Sequence, residues 1–185
     1  NLDLLINLSA SPFTTSKKEE RGNVFAKISE KLNIPLIYVN QTGGQDELVF
    51  DGTSSVINKQ GDVTIELKSF ANDSIQFNHE EINNSSIKEK TSNTLKDLYD
   101  SLVLATKDYV EKNNFKGVLI GSSGGIDSAL TATIATDALG SDKVRTIMMP
   151  FKYTADISIN DAALLAKNLK INHQEIPIEK VYDAH

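Results

Sequence analysis

The chain has no cysteine and no tryptophan, and only two methionines and four prolines in 185 residues. Without cysteine there is no disulfide, no thiolate zinc site and no cysteine nucleophile, and the composition fits a reducing, cytoplasmic setting. No apolar run is long enough to cross a bilayer, and no basic start with a cleavage site marks export. Positive charge is also in deficit. Lys and Arg number 19 against 25 Asp and Glu, a formal net charge of −6, with no basic stripe to offset it. Nonspecific nucleic-acid binding is therefore not expected. His79, His173 and His185 stand singly, without metal-ligand spacing. The remaining composition, 39% hydrophobic with mixed charges, describes a globular chain with one ample core or two small ones.

The informative segment is GSSGGIDS, Gly121 to Ser128. It follows the apolar run Val118, Leu119, Ile120 and opens a helical pattern through Ala129, Leu130, Ala132, Ile134, Ala135, Ala138 and Leu139. A buried strand thus feeds a glycine-rich turn and then a helix start. N–H groups at such a turn face outward with no Cβ in the way, and the helix N-terminus adds positive potential. The result is a cradle for phosphate or pyrophosphate. It lacks the lysine of GxxxxGK[ST] and does not read GxGxxG, so neither the P-loop nor the dinucleotide fingerprint applies. Asp127 is placed to hold Mg²⁺ against a leaving pyrophosphate, and the Ser123 and Ser128 hydroxyls are placed to donate to its oxygens. Turn punctuation is the competing reading; strand, loop, acid and helix in the required order weigh against it.

Elsewhere, Leu2, Leu4, Leu5, Ile6 and Leu8 read as a buried strand with no lead-in, so residue 1 is read as a truncation point. A helix through Val24, Phe25, Ile28 and Leu32 ends at Asn33 and Pro35, followed by a strand at Leu36–Val39 and a turn-rich stretch from Asn40 to Gln45. Runs at Thr53–Ile57 and Val63–Leu67 flank Lys59–Asp62 as a hairpin. Asn72 to Thr94 shifts to polar residues and reads as linker. Order resumes in an amphipathic helix through Leu95, Leu98, Leu102, Ala105, Tyr109 and Val110. After the loop helix, Gly140 is the expected C-cap, Val144–Met149 a second strand, and Ser158 with Asp161 a capping box for a further helix. A third strand is expected in Glu175–Ile178. The order βαβαβ implies a parallel sheet with right-handed crossovers, whose carboxyl rim carries Gly121–Ser128 together with Met149–Tyr153. Three strands are few for such a sheet, so both ends are read as cut.

SGGxDS after a strand resembles the loop of ATP pyrophosphatases, which cleave ATP between the α- and β-phosphates. More specifically, NLSASPF with Lys17, NQTGGQDELVFDGTS, and the stretch from DYVEKNNF through GSSGGIDSAL, DALG and MMPFKYT to SINDAALLAKNL together resemble glutamine-dependent NAD synthetases. The resemblance implies an α/β chain: the end of a nitrilase-like αββα sandwich glutaminase (residues 1–75), a linker (76–94), and the start of a Rossmann-like parallel-sheet ATP-pyrophosphatase domain (95–185). It implies a carbon–nitrogen ligase using ATP and Mg²⁺. Such an enzyme adenylates the nicotinate carboxylate of deamido-NAD, releases pyrophosphate, and lets ammonia from glutamine displace AMP to give NAD. It implies a cytoplasmic homo-oligomer. Another amidotransferase of the superfamily, such as GMP synthetase, and a noncatalytic module are the alternatives.

Carried over residue by residue, the resemblance assigns Gly121, Ser122, Ser123, Gly124, Gly125, Ile126, Asp127 and Ser128 to ATP binding, with Asp127 as the metal-supporting acid. Ser122 departs from the apolar residue common in the family. Met149 falls where related domains contact adenine, although a core methionine fits equally. Ser11 and Lys17 correspond to residues that help hold glutamine; a turn serine and a solvated helix-start lysine are the bland readings. Lys17 replaces an arginine found in some relatives, turning a bidentate clamp into a point contact. The family's glutaminase glutamate, lysine and cysteine are expected upstream, so the chain alone is expected to be inactive. Glu47, Asp46 and Asp51 are read as structural turn and capping groups.

Overall fold

The computed structural model describes residues 2–84 and 94–184. The chain divides into two compact units, Asn1–Ala105 and Thr106–His185. The expected linker at 76–94 lies partly outside the described residues, and so does His185.

In the first unit, β1 (Leu5–Ser9), α1 (Lys17–Leu32) and β2 (Leu36–Asn40) form a parallel crossover, β1 pairing β2 from Leu5↔Leu36 to Ser9↔Asn40. β3 (Thr42–Gln45) and β4 (Leu48–Asp51) make a separate ribbon. β5 (Ser55–Ile57) pairs antiparallel with β2 and with β6 (Val63–Glu66), giving the sheet order β1-β2-β5-β6. The short α2 (Glu81–Asn84) follows, and then α3 (Thr94–Lys112), within which the boundary between the units falls. Helix α1 ends because Asn33 adopts a left-handed conformation (φ 53°, ψ 40°) and its N–H returns to the Glu30 carbonyl, while the Ile34 N–H returns to the Ser29 carbonyl. The face of α1 bearing Phe25 and Ile28 packs on Leu36, Tyr38 and Ile57, with Leu5 and Val63 around them. Each such side chain contributes about 1.5–3 kcal/mol when fully withdrawn from water.

Two local expectations change. The apolar run at the start of the chain is buried on one face only: Leu8 is 77% exposed and Ile6 56%. As the first strand of its sheet, β1 alternates between core and open face, and composition does not reveal which face is covered. The stretch expected as turns from Asn40 to Gln45 is instead the end of β2 and, after Gln41, the strand β3. Gly43 and Gly44 pair with Phe50 and Val49, and the reversal comes at Asp46, where φ is 50°.

Asp51 is not a turn group. Arg21 Nη1 donates to Asp51 Oδ1 at 3.0 Å, and Nη2 makes a very short contact with Oδ2. Asn40 Nδ2 adds a bond to Oδ1 at 3.2 Å and Thr53 Oγ1 one to Oδ2 at 3.1 Å. Arg21 and Asp51 are both buried, and both terminal guanidinium nitrogens and both carboxylate oxygens are engaged, as a buried pair requires. The guanidinium also lies 5.5 Å from the Tyr38 ring centroid. Burial pushes the Tyr38 phenol above its ordinary value, against the opposing pull of the Arg21 charge.

In the second unit, β7 (Val118–Gly121), α4 (Ile126–Leu139), β8 (Val144–Met148), α5 (Asp156–Leu169), β9 (Asn172–Glu175) and α6 (Glu179–Asp183) follow in order, with a 3₁₀ turn at Ser141–Lys143. The sheet is parallel in the order β7-β8-β9, as the alternating pattern predicts. Ala132, Ala135, Val144, Ala166 and Ile171 form its core, with Val118, Ile120 and Leu165 packed around them. Alanines on both helices permit close helix–sheet packing. The last strand lies three residues earlier than expected, and α5 starts at Asp156 after Ala155, so Ser158 stands inside the helix rather than capping it. The reason is the turn before it, closed by Thr154 N–H to the Phe151 carbonyl at 2.8 Å, which already sets the helix entry.

Two outcomes follow for the first unit. Asp51→Ala leaves a buried guanidinium unpaired and should cost about 3–5 kcal/mol in urea unfolding; a loss below about 1 kcal/mol, the scale of an exposed pair, would contradict the buried network. Because the folded state holds the Tyr38 phenol neutral, its contribution is complete below the ordinary value of 10.0 and is lost as pH rises past it. Wild type should therefore lose stability relative to Tyr38→Phe above pH 10, and parallel profiles there would refute the assignment.

Candidate functional site

The segment 121–128 leaves the end of β7 and enters α4, as its sequence predicts. The Ser122 N–H donates to the Ile147 carbonyl at 2.8 Å, extending the β7–β8 ladder one residue into the loop. Gly124 then takes φ 75°, a conformation that L side chains rarely adopt. It also has no room for a side chain, because a Cβ there would lie 2.7 Å from Ser158 Cα and closer still to its carbonyl oxygen. Gly125 is different. Its φ of −89° and ψ of 165° suit any residue, and a Cβ would meet only Ser123 Oγ, at 3.3 Å. The two adjacent glycines thus serve separate purposes, one for close approach to α5 and one at the N-cap of α4.

The hydroxyls knit the loop. The Gly125 N–H donates to Ser123 Oγ at 3.2 Å, and the Ser128 hydroxyl donates to the Gly125 carbonyl at 3.0 Å. Ser123 and Ser128 hydroxyl oxygens lie 3.1 Å apart. Since Ser128 has spent its one hydrogen on Gly125, Ser123 is the donor between them, which closes a three-membered ring. Ser128 Oγ also accepts the Ser123 N–H at 3.2 Å. Beyond the ring, the first N–H groups of α4 have no intrahelical acceptor, and the Ala129 N–H is bonded back to the Gly125 carbonyl at 3.1 Å. These amides, the helix dipole and the exposed Asp127 carboxylate in the first turn share one place. Ile126, also assigned by sequence, is 79% exposed at the tip. Ser122 is buried, and among the described residues its hydroxyl finds no partner.

Met149 lies one residue past β8 and is half exposed. It joins Gly121, Ser122, Ser123, Met148 and Thr154 around an open cleft of about 380 Å³. The structure thus brings the loop and Met149 together. Thr154 is a lining residue that sequence reasoning missed, one position beyond the Met149–Tyr153 stretch expected on the rim. Asp127 is not among the cleft's lining residues, and among the described residues no cluster of three metal-ligating side chains exists. Any divalent cation at Asp127 would take its other ligands from phosphate and water, which suits Mg²⁺.

Ser11 and Lys17 are engaged separately. The Ser11 peptide is clamped by Asn40, whose Oδ1 accepts the Ser11 N–H at 2.9 Å while Nδ2 donates to its carbonyl at 3.2 Å. Arg21 Nη1 reaches Ser11 Oγ at 3.4 Å. Lys17 opens α1 and pairs with Glu20 at 3.6 Å. The neighbouring cavity, about 210 Å³, is lined instead by Lys18, Arg21, Tyr38, Asp51, Glu66 and others. Arg21 and Asn40 were not singled out from sequence, and no local signal marks them.

Residues 98–185 match the NAD synthase family model. The chain is 41% identical over 175 residues, 92% of its length, to the glutamine-dependent NAD(+) synthetase of Acinetobacter baylyi, and 34% identical over 98% of its length to that of Thermotoga maritima. It spans only 32% and 38% of those relatives. The glutamine-dependent NAD+ synthetase of Acinetobacter baumannii, solved in complex with ADP, superposes with a TM-score of 0.91 at 37% identity, covering 99% of this chain and 35% of that one. The Cytophaga hutchinsonii enzyme shares the fold at TM-score 0.82 and 17% identity, over 98% of this chain and 37% of that one. Among the described residues no helix is long and apolar enough to cross a membrane. With a glycine loop at the end of a parallel strand and these likenesses running through both units, the chain is homologous to a segment that makes up about a third of the length of glutamine-dependent NAD(+) synthetases.

Proposed function

We propose that this chain carries the ATP-phosphate loop of an enzyme that amidates deamido-NAD to NAD with ammonia drawn from glutamine. The observation that supports this best is the loop after β7: free amides at the start of α4, one exposed acid, and an adjoining cleft edged by Met149. The ADP held by the Acinetobacter baumannii relative supports an adenine nucleotide as the ligand. In this reading the unpaired amides of α4's first turn and its positive end hold the diphosphate that departs when the nicotinate carboxylate attacks the α-phosphorus. The hydroxyl ring of Ser123, Ser128 and Gly125 fixes the loop's shape beforehand, so little reorganisation accompanies the transfer. Asp127 would hold Mg²⁺, which supplies charge neutralisation for the leaving group. Met149 edges the adenine side. No residue of the loop has to act as base or nucleophile, because the reacting carboxylate is itself the nucleophile. Ammonia then displaces AMP from the mixed anhydride.

For the first unit the proposal is that Ser11 and Lys17 contact glutamine, with residues 1–75 forming part of a nitrilase-like glutaminase and residues 95–185 part of an ATP-pyrophosphatase domain. Having no cysteine, the chain cannot itself supply a thiolate to release ammonia. A cytoplasmic homo-oligomer belongs to the same proposal and is supported by family likeness alone.

Calorimetry with ATP and Mg²⁺ tests the site. Asp127→Ala should weaken Mg²⁺-dependent ATP binding at least tenfold while leaving the melting temperature unchanged; unaltered binding would refute the role of the acid. The glycines should separate. Gly124→Ala should lower thermal stability, since its Cβ has no place beside Ser158, whereas Gly125→Val should stay folded and lose ATP affinity. The reverse pattern would mean that the loop is shaped for packing alone.

A further inference from the structure

The alternation of β7 continues into the loop that follows it. Val118 and Ile120 pack on the core of the second unit, and the Ser122 N–H extends the ladder to the Ile147 carbonyl at 2.8 Å. By that alternation the Ser122 side chain turns the same way as theirs, away from the open face of the sheet. Ser122 is 5% exposed and Met148 3%, and both line the cleft that Met149 edges. Three of the residues around this cleft carry hydroxyls. Ser123 Oγ accepts the Gly125 N–H and gives its hydrogen to Ser128, and Thr154 Oγ1 accepts the Phe151 N–H at 2.9 Å. Both are occupied in holding their own turns. The Ser122 hydroxyl is buried without a hydrogen-bond partner among the described residues, so its donor and acceptor sites are open.

A hydroxyl withdrawn from water and left unbonded destabilises the free protein. The shape of the loop does not require it, because the turn is set by Gly124 against Ser158 and by the ring of Ser123, Ser128 and Gly125. A ligand that brings an acceptor removes the penalty. Position selects the acceptor. The diphosphate proposed for this site lies on the amides of α4, beyond Ser123, and the adenine lies toward Met149. Gly121 to Ser123 stand between them, where a nucleotide carries its α-phosphoryl group. We infer that the Ser122 hydroxyl donates a hydrogen bond to a non-bridging oxygen of the α-phosphoryl group of the bound nucleotide. A buried neutral donor bonds strongly to an anionic oxygen. Charge on those oxygens shifts as the carboxylate oxygen bonds to the α-phosphorus and the bond to the departing diphosphate breaks, so a fixed donor there touches the reacting group. This inference rests on the ATP reading of the loop and adds a side-chain donor to a site otherwise made of backbone amides and one acid.

Ser122→Ala separates this role from a packing role, because the two demand opposite changes in the free protein. Without ligand, loss of an unpartnered hydroxyl should raise the melting temperature of the 185-residue chain by a few degrees. In Mg²⁺ the same variant should bind ATP and AMP at least about tenfold more weakly, the range for loss of a hydrogen bond to a charged group. Inorganic pyrophosphate and adenosine should bind as they do to wild type; calorimetry reads all four ligands. Unchanged ATP affinity overturns the inference, and so does a lower melting temperature, which would make the hydroxyl a packing group. Equal losses for adenosine and AMP would place the contact on the ribose, and a loss for pyrophosphate would place it on the leaving group. Either result overturns the α-phosphoryl assignment and leaves the ATP site standing. A wild-type chain that binds neither ATP nor pyrophosphate removes the ATP reading and this inference together.

Discussion

At Gly124 the turn after β7 presses its backbone against that of Ser158 in α5, leaving no volume for a Cβ and requiring a positive φ. That contact joins three pieces of the second unit: the loop end of β7, the start of α4 and the start of α5. With the turn fixed, the Ser123–Ser128–Gly125 hydrogen-bond ring follows, and with the ring fixed the first amides of α4 are aimed and unpaired. The phosphate site proposed here is made of backbone and depends on the rigidity of that backbone. Here rigidity comes from one steric contact and one small ring of hydroxyls, with no charged side chain needed to hold the loop shape.

The first unit solves a similar problem by other means. Its loop at 10–13 is held by side chains, chiefly Asn40 gripping the Ser11 peptide at both its N–H and its carbonyl. Asn40 in turn leans on Asp51, and Asp51 on Arg21, so a buried ion pair stands behind the placement of one serine. Buried pairs of this kind seldom add net stability over an apolar replacement, but removing one partner is costly. The arrangement fixes the geometry of the loop at Ser11 rather than maximising stability.

The glycine loop between β7 and α4 was legible in the sequence because its determinants are local: a short apolar run, glycines, hydroxyls and an acid in one octet, followed at once by a helical period. The parallel sheet of the second unit was legible for the same reason, through alternation of strand and helix. What stayed hidden is non-local. Arg21 and Asp51 are 30 positions apart; Asp51 alone reads as a turn or capping group, and nothing local marks Arg21. The two roles of Gly124 and Gly125 separate only once Ser158 is seen beside one of them. Ser158 itself, read as a cap, lies inside its helix because the Thr154 turn already defines the entry. The first strand looked wholly buried because composition counts apolar residues without saying which face is covered. The ring contacts of Phe151 with Tyr153 and Tyr182 could not be read from MMPFKYT because Tyr182 arrives from α6.

The central claim is that peptide N–H groups at the start of α4 receive the phosphates of ATP. Amide ¹H–¹⁵N spectra of the isotope-labelled chain, recorded as ATP and Mg²⁺ are added, test it directly. The account predicts that the resonances of Gly124 through Ser128 shift most and together, while those of the Arg21–Asp51 region stay in place. Saturable shifts confined to the first unit, with the loop amides unmoved, would contradict it.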